Sequence, residues 1–422
     1  MNKNSDPLNP LGGEHPLISV ERARFAALAG VLSITGSERI PLAASLGRVV
    51  DENVNTSIPL PPFDQSAMDG YAVRTQEVLN VPLSRIVAGR IAAGQYPDGL
   101  IYPQNTVVRI LTGAAVPSGF DAVVMQELCH RDGESVTINH RPMAGENIRG
   151  TGDDIHAGDR LVENGTLIDP RHIAIMAASG VGLLKVRRKI NVGLISTGNE
   201  ISDSTESLWP GGIHDSNKPM LAAMLTRPGI VLHDLGHVID NADVMAEAFA
   251  SAAGSVDVLL STGGISVGEE DHVQAAIAAR GGYVDPLRAG LKPGKPAAIG
   301  RLGDTVLLAL PGNPLSALVT FLWFARPVIE KRMGMTPVMP LAVRAQSSFG
   351  ERRRPGRDEF VPVSVKRESD GGLTVTKLGR GGSSRLAPLL SADGLARIAG
   401  HLESIEPGDA LDVYLFNSAF AL

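Results

Sequence analysis

The pattern of apolar residues predicts a central domain built from alternating strands and helices. From Lys189 to Met333, short apolar runs such as "INVGLIS", "IVLHDLGHV", "VDVLLSTGG" and "DTVLLALPG" alternate with helical segments that end in "NPLSALVTFLWFARPVIEKRM". Continuous apolar strands that alternate with helices are typical of a parallel sheet covered on both faces. We therefore predict a three-layer αβα domain with a mostly parallel sheet, in a multidomain chain of class α/β plus β.

The regions on either side of this domain show strand-like patterns. An amphipathic helix capped by Ser19 comes first, and residues 71–127 then alternate short apolar runs with turns. Residues 144–166 are polar and glycine-rich and lead back out of this region. After "MGMTPVMP" the chain alternates strands and glycine turns up to Leu422. The sequence thus predicts a β-rich domain near the N-terminus and a small C-terminal β domain.

Composition narrows the class of protein. A chain of 422 residues is too long for one core, and no segment has the eighteen uncharged apolar residues of a membrane span. The single cysteine, Cys129, excludes an internal disulfide and a thiolate metal site, which favours the cytoplasm. A net charge of −6 argues against a broad nucleic-acid or anionic-membrane surface. The first thirteen residues are polar and are expected to form a disordered tail.

Candidate chemistry lies where the predicted parallel strands end, because ligands of open parallel sheets bind outside the carboxyl ends of the strands. Four such ends run into loops rich in glycine and acidic residues. Their candidate residues are Glu200 in "STGNE", Asp240 in "GHVIDN", Gly263, Gly264, Ser266 and Asp271 in "STGGISVGEED", and Pro311 and Pro314 in "LPGNP". Neither G-x-x-x-x-G-K-[ST] nor G-x-G-x-x-G occurs, so a Walker loop and a dinucleotide dehydrogenase are disfavoured.

Acids and phosphate-binding loops in one crevice predict a magnesium ion that bridges carboxylates and phosphoryl oxygens. We assign Asp240 and Asp271 as its ligands. The alternative is that both residues cap helices, since each stands near a predicted helix start. Three acids at the strand ends of one sheet favour a site.

Two basic segments are candidates for binding an anion. "AGLKPGKPAAIG" holds Lys292 and Lys295 in a stiff turn, and "ERRRPGRDEF" places Arg357 in a run of arginines. Ammonium groups on a rigid loop bind an oxyanion at a small cost in ordering entropy. The alternative is an ordinary solvated turn and a solvated charge run.

A proline-rich segment near the N-terminus displays polar side chains. In "PLPPFDQSAMDGYAVR", residues 59–74, three prolines in four residues forbid a helix. The residues that follow form an extended, exposed loop that carries Asp64, Ser66 and Asp69. Two carboxylates and a hydroxyl in such a loop indicate a functional role.

Seven motifs together resemble the MoeA family of molybdopterin molybdenumtransferases, which includes the E-domain of gephyrin. Beside the "FDQSAMDGYAVR" loop and "RILTGAAVPSGFDAVVMQE", they include "GENIRGTGDD", "STGNE", "STGGISVGEEDH", "LKPGKP" and "LPGNPLSA", in the family's order from about Pro16 to the C-terminus. The resemblance implies an elongated homodimer with four domains in each chain. It also implies a reaction in which adenylylated molybdopterin and molybdate yield molybdenum cofactor and AMP.

The resemblance also implies a division of the chain. After the tail at 1–13, it assigns 14–57 with 152–186 to a discontinuous linker and dimerisation domain, 58–151 to an inserted β-rich domain, 187–336 to an αβα domain like that of molybdopterin adenylyltransferases, and 337–422 to the C-terminal β domain.

Individual residues take roles from the same resemblance. Asp69 matches an essential aspartate with Thr112 beside it, and Glu200, Asp240 and Asp271 match acids of the nucleotide-handling domain. Positions that match the binding of phosphate or oxyanion are Arg149, Asp154, Lys292, Lys295, Pro311, Pro314 and Arg357. The chain departs from the family in two places, with "GTG" in place of a basic run after Arg149 and "FDQS" in place of "FDNS".

Other functions stay open at this point. One is a different phosphate-cleaving enzyme on the same αβα domain, such as an adenylyltransferase or a CinA-like hydrolase. Another is a scaffold of the gephyrin E-domain type. The resemblance implies an active site shared between two chains and transient contact with the adenylyltransferase and with molybdoenzymes, but neither nucleic acid nor membrane as a partner. Molybdate and tungstate are equally compatible with these residues.

Overall fold

A computed structural model describes residues 17–95, 97, 99–263, 277–294 and 296–420. Within these ranges, no helix has the length and apolar character needed to cross a membrane. The elements are numbered along the chain and given domain by domain.

Two separate stretches of chain build the first, small region. Its elements are α1 (Val20–Leu28), β1 (Ser37–Pro41), β2 (Val54–Asn55), β11 (Arg160–Val162), α2 (Pro170–Ala178) and β12 (Leu183–Arg187), with a 3₁₀ turn at Leu42–Ala44. Antiparallel pairs β1–β12 and β2–β11 join the two stretches. Helix α1 is capped by Ser19, as predicted, because its hydroxyl oxygen accepts from the Arg22 amide. Its buried face packs in the core of the central domain.

The inserted region is β-rich, as the alternating pattern predicted. It contains β3 (Gln65–Ser66), β4 (Gly70–Val73), β5 (Leu83–Ile91), β6 (Thr106–Ile110), β7 (Ala122–Met125), β8 (Cys129–Asp132), β9 (Ser135–Ile138) and β10 (Ile148–Arg149), with 3₁₀ turns at Thr75–Glu77 and Gln126–Leu128. Six strands form one sheet in the order β7-β4-β6-β5-β9-β8, and β10 pairs with β3. Separate apolar clusters cover the two faces of the sheet.

The central domain is the predicted αβα sandwich. Its elements are β13 (Ile190–Thr197), β14 (Ile201–Ser202), β15 (Ile213–His214), α3 (Asn217–Leu225), β16 (Ile230–Val238), α4 (Ala242–Ala252), β17 (Val258–Thr262), β18 (Tyr283–Pro286), β19 (Leu291–Lys292), β20 (Ala298–Leu302), β21 (Thr305–Leu310), α5 (Pro314–Thr320) and α6 (Arg326–Arg332). The sheet order is β16-β13-β17-β21-β20-β18. The first four strands are parallel, and β20 pairs antiparallel with both β21 and β18. The carboxyl ends of β16, β13, β17 and β21 therefore meet at one edge.

Helices α5 and α6 are continuous through a π-helical turn, Phe321–Ala325. Pro327 lies near the start of α6 and has no amide hydrogen for the carbonyl of Trp323, four residues earlier. The guanidinium of Arg24 from α1 donates to that carbonyl at 3.1 Å and to the carbonyl of Val338 at 2.7 Å. Arg24 is only 5% exposed, so it satisfies a buried backbone acceptor that the proline leaves open.

The C-terminal region closes a small barrel. Its elements are β22 (Val343–Ser347), β23 (Glu351–Arg352), β24 (Asp358–Arg367), β25 (Leu373–Lys377), β26 (Gly394–Ile398), β27 (Ser404–Ile405), β28 (Ala410–Leu415) and α7 (Phe416–Ala419), with a 3₁₀ turn at Ala387–Ser391. Strand β24 pairs with both β25 and β26, which closes the circuit β24-β25-β22-β28-β26. Strand β19, from within the range predicted for the central domain, adds to β24 in parallel.

Candidate functional site

Asp69 and Thr112 lie side by side because their strands are neighbours. Asp69 directly precedes β4, Thr112 follows β6, and the register pairs Gly70 with Ile110. The Oδ1 atom of Asp69 accepts hydrogen bonds from the amide and from Oγ1 of Thr112, both at 2.8 Å. These two bonds hold the pKa of Asp69 below its usual value. Gly70 is required here, since a Cβ atom would lie 2.1 Å from the carbonyl oxygen of Val124.

A second aspartate of the same loop is held in the same way. Oδ1 of Asp64 accepts from the amide of Thr151 at 2.8 Å and from its hydroxyl at 2.9 Å. Thr151 belongs to the "GTG" segment, where the sequence departs from the family pattern. Thr151 thus ties the opening loop to the segment that carries Arg149 and Asp154.

Arg149 and Asp154 both have exposed side chains beside this loop. Strand pairing places Arg149 opposite Gln65, and the Asp154 amide donates to the carbonyl of Leu60 at 3.0 Å. Both residues line an open cleft with Pro61, Pro62 and Asp153 as neighbours. The structure therefore places Arg149 and Asp154 beside the proline-rich loop.

Glu200 and Asp240 lie at the carboxyl ends of adjacent parallel strands, β13 and β16. Their side chains are exposed, and Oδ1 of Asn199 accepts from the Asp240 amide at 3.1 Å, which ties the two strand ends together. The cap of α4 is Asn241, whose Oδ1 accepts from the first amides of the helix. The alternative interpretation of Asp240 as a helix cap is therefore wrong.

Gly263 allows the ends of β17 and β13 to approach closely. Its φ is +88°, and a Cβ atom there would lie 2.3 Å from the carbonyl oxygen of Thr197. On its other side, Gly263 is joined to the end of β21, because its amide donates to the Leu310 carbonyl at 3.1 Å. The predicted residues Gly264, Ser266 and Asp271 lie outside the described residues.

Asn217, which the sequence analysis did not identify, joins the strand-end loops. It begins α3 and is 6% exposed, and its Nδ2 donates to Thr262 Oγ1 at 2.8 Å and to the Gly312 carbonyl at 2.7 Å. Pro311 lies in the same network, since its carbonyl accepts from Thr262 Oγ1 at 3.4 Å. The signal in the sequence that could have pointed to Asn217 was its place at the end of the polar segment "HDSN".

Lys292 and Arg357 line one cavity of about 300 Å³ between the central domain and the barrel. Strand β19 carries Lys292 to the barrel, and Asn313 and Ser316, on either side of Pro314 and Leu315, form the opposite wall. Pro314 is the first residue of α5, where a missing amide hydrogen costs nothing. Lys295 lies outside the described residues.

The same cavity contains charged residues that sequence reasoning missed, namely Lys377, Arg385 and Glu359. Glu359 is 8% exposed and pairs with Lys292 at 2.9 Å and with Arg353 at 3.5 Å. Lys377 pairs with Glu351, outside the cavity lining. Cations therefore outnumber acids in the lining, which suits a small anion. In the sequence, the glycine-rich turn between Lys377 and Arg385 was the signal that could have pointed to these cavity residues.

The predicted residues thus form two groups. Asp69, Thr112 and Arg149 lie on the inserted region, and Asp154 lies just beyond its predicted end. Among the described residues, the hydrogen bonds of Asp69 and Thr112 stay within the inserted region. The second group occupies the strand ends and the adjoining cavity. The described residues contain no cluster of three His, Cys, Asp or Glu side chains able to hold a metal.

Comparisons with known proteins place this fold and site in one class, that of multidomain proteins with a molybdopterin-binding domain. Residues 193–331 match the family described as "Probable molybdopterin binding domain". Residues 18–180 match "MoeA N-terminal region (domain I and II)", and residues 344–416 match "MoeA C-terminal region (domain IV)".

Whole-length relatives narrow the class. The chain is 32% identical over 404 residues to a molybdopterin molybdenumtransferase of Haemophilus influenzae, covering 95% of this chain and 99% of that one. It is 33% identical to molybdopterin molybdenumtransferase 2 of Mycobacterium tuberculosis, over 89% and 94% of the two chains. A solved molybdopterin biosynthesis MoeA protein of Pyrococcus horikoshii superposes with a TM-score of 0.79 at 25% identity, covering 94% and 100%. The chain belongs to the MoeA family, whose curated members are transferases.

Proposed function

We propose that this protein inserts molybdenum from molybdate into adenylylated molybdopterin and releases AMP, with magnesium, in the cytoplasm. The observation that carries the proposal is the basic cavity directly beside the strand-end loops. The segment from Pro311 to Ser316 contributes to both, because Pro311 joins the strand-end network and Asn313 and Ser316 line the cavity. The strand-end loops suit a ligand with a phosphate portion, and the adjoining cavity suits a small oxyanion.

The cavity supports molybdate binding through charge and rigidity. Molybdate is a small tetrahedral dianion, and Lys292 and Arg357 present donors from the barrel wall. Glu359 holds Lys292 in place, so the ammonium group is oriented before the anion arrives. The two sulfurs that take up the molybdenum belong to the pterin substrate, which is consistent with a chain that has one cysteine.

The strand ends support the binding of the phosphate portion. Glu200 and Asp240 supply carboxylate oxygens, the ligands that Mg²⁺ prefers, and Mg²⁺ commonly combines one or two carboxylates with substrate phosphates and water. The donor set therefore fits the ion, with Asp271 assigned as a further ligand. When bound, magnesium would offset negative charge on the phosphoryl group. Gly263, which we assign to the binding of the phosphate portion, brings the ends of β13 and β17 close together at this edge.

Asp69 has the properties of a fixed anion. The two bonds from Thr112 keep its pKa low, so it stays ionised at neutral pH and would be a weak general base. We assign it to orient the attacking water or the cation from the opposite side of the substrate. Since its own hydrogen bonds stay within the inserted region, we propose that Asp69 serves the strand ends of a second chain in a two-fold homodimer. Transient contacts with an adenylyltransferase and with molybdoenzymes would deliver substrate and accept product.

The direct test is release of AMP. Purified protein is incubated with adenylylated molybdopterin, molybdate and Mg²⁺, and AMP is quantified by chromatography. We expect release that requires molybdate and stops on chelation of magnesium, and that falls strongly in Asp69→Asn. If adenylylated molybdopterin binds but wild-type protein releases no AMP, the proposed reaction is refuted, and a scaffold function becomes the better account.

A further inference from the structure

Trp209 lies in the segment from Ile201 to His214, which we call the excursion. The excursion follows the loop at the end of β13 and leads into α3. Strands β14 and β15 pair at the base of this excursion, and the amide of Ile213 donates to the carbonyl of Glu200 at 2.8 Å. The amide of Asp215 donates to the carbonyl of Ser202 at 2.9 Å. The excursion is therefore attached to the residue that carries a candidate carboxylate.

One side of the Trp209 indole ring packs against the protein backbone. A Cβ atom at Gly212 would lie 2.8 Å from Cε2 and 2.9 Å from Cδ2 of the indole, so the ring packs against the backbone of this glycine. The Gly212 amide also donates to the Trp209 carbonyl at 2.9 Å, which closes the turn. Only a residue without a side chain allows this contact.

The rest of the ring is accessible. Trp209 is 44% exposed, whereas Trp323, the other tryptophan of the chain, is fully buried. A ring that rests on backbone and opens to solvent beside a candidate phosphate site has the form of a stacking surface.

We propose that Trp209 is a positioning residue that stacks on a flat nitrogen heterocycle of the substrate. The proposal rests on the proposed function, because adenylylated molybdopterin carries two such rings, the adenine and the pterin. Stacking on an aromatic side chain suits any heterocycle with a π face, so the shared chemistry of the two rings is what the indole would recognise. The phosphates between the rings would then lie toward Glu200 and Asp240.

Fluorescence provides a test that needs no turnover. Because Trp323 is buried, emission that acrylamide can quench comes from Trp209. AMP and a free pterin are titrated separately into wild-type protein, and the one that stacks should protect the quenchable emission. In calorimetry, the ligand that protects the emission should bind Trp209→Ala with a Kd about 10-fold higher than for wild type, equivalent to about 1.4 kcal/mol. Trp209→Phe should restore most of the affinity.

A matched control separates stacking from damage to the excursion. Leu208→Ala removes a neighbouring exposed apolar side chain, 47% exposed, and should leave both Kd values unchanged. The melting temperature of Trp209→Ala should equal that of wild type. In the full reaction, Trp209→Ala should raise KM for adenylylated molybdopterin and leave kcat nearly unchanged, as expected for a residue that positions the substrate.

The outcomes separate this proposal from the proposed function. If AMP or the pterin binds wild type and Trp209→Ala with equal Kd, and quenching is unaffected, the stacking role is wrong while the reaction stands. If neither ligand binds and no AMP is released from the adenylylated substrate, both are overturned. Protection by AMP alone assigns the indole to adenine, and protection by the pterin alone assigns it to the pterin.

Discussion

One carboxylate oxygen of Asp69 accepts both the amide hydrogen and the hydroxyl hydrogen of Thr112, each over 2.8 Å. The two residues are 43 positions apart in sequence, and the pairing of β4 with β6 brings them together. The second oxygen of Asp69 takes no part in this pair. A carboxylate fixed through one oxygen keeps its orientation and leaves the other oxygen for a ligand.

We predict that Thr112→Val raises the pKa of Asp69. The backbone donor remains, but the hydroxyl that stabilises the ionised form is lost, so protonation occurs at higher pH. The acidic limb of the pH profile of AMP release should move to higher pH, and a carbon-13 titration of the Asp69 carboxyl should show the same direction. Thr151→Val is the matched control, because it removes the equivalent hydroxyl from Asp64 and should leave the titration of Asp69 unchanged. An unmoved Asp69 titration in Thr112→Val would contradict the assigned cause.

Mixed dimers test whether the two groups of residues meet across chains. Asp69→Asn and Asp240→Asn should each abolish activity. In a mixed dimer, one site carries both substitutions and the other carries neither. Random exchange makes half of the dimers mixed, so about a quarter of wild-type activity should return. Mass spectrometry checks that the chains have exchanged. Zero activity after confirmed exchange would place each site within one chain.

Lys292→Ala should raise the molybdate concentration that gives half-maximal rate. Charge-assisted contacts are worth about 1.5–3 kcal/mol, so a shift of at least 10-fold is expected, with little change in the Kd for adenylylated molybdopterin. Lys366→Ala is the matched control, because Lys366 pairs with Glu368 over 2.9 Å, the same distance as Lys292 and Glu359, but is highly exposed on β24. A loss of pterin affinity with unchanged molybdate dependence would assign Lys292 to the phosphates.

Gly263→Ala should disrupt the strand-end edge. The left-handed φ of +88° costs about 1–2 kcal/mol for a residue with a side chain, and overpacking against the Thr197 carbonyl adds about 1–3 kcal/mol. Gly254→Ala is the control, because its φ is +86° and a Cβ atom there would meet no atom within 4 Å. Urea unfolding of both variants isolates the clash. Equal destabilisation would show that Gly263 is needed for its backbone angle alone.

Arg24→Met should destabilise the protein by about 1–3 kcal/mol, because the buried carbonyl of Trp323 loses its donor. Pro327→Ala restores an amide hydrogen four residues after Trp323, so the double variant should lose less stability than the sum of the two single variants. Arg22→Met changes an exposed arginine of the same helix and is expected to be nearly neutral. Strict additivity in thermal or urea unfolding would show that Arg24 acts through packing.

Hydrophobic periodicity was sufficient to predict the αβα layers and the two β-rich regions. Strands β13, β17 and β21 are almost wholly buried, mainly apolar runs because both faces of the sheet are covered there, whereas the edge strand β16 carries polar residues and is only partly buried. Once a parallel sheet is predicted, residues directly after each strand must lie at one edge, which locates Glu200 and Asp240. These properties depend on local sequence and strand direction.

The cavity could not be predicted in the same way. Leu291 and Lys292 lie within the sequence range of the central domain, yet they pair with the barrel strand β24 across more than sixty residues. The sequence around Glu359 and Arg385 shows no pattern that relates either residue to Lys292. Only the folded barrel brings the three residues to one cavity.

The local sequence is enough to predict most strands and helices, because burial on one or two faces imposes a period on the apolar residues. It also determined the order of the motifs that place the chain in its family. The three-dimensional fold was needed to see that Thr112 holds Asp69, that Asn241 and not Asp240 caps α4, and that Trp209 rests on Gly212. The physical reason is that hydrogen bonds and packing contacts depend on distances between atoms in space, and strand pairing sets these distances between residues that are remote along the chain.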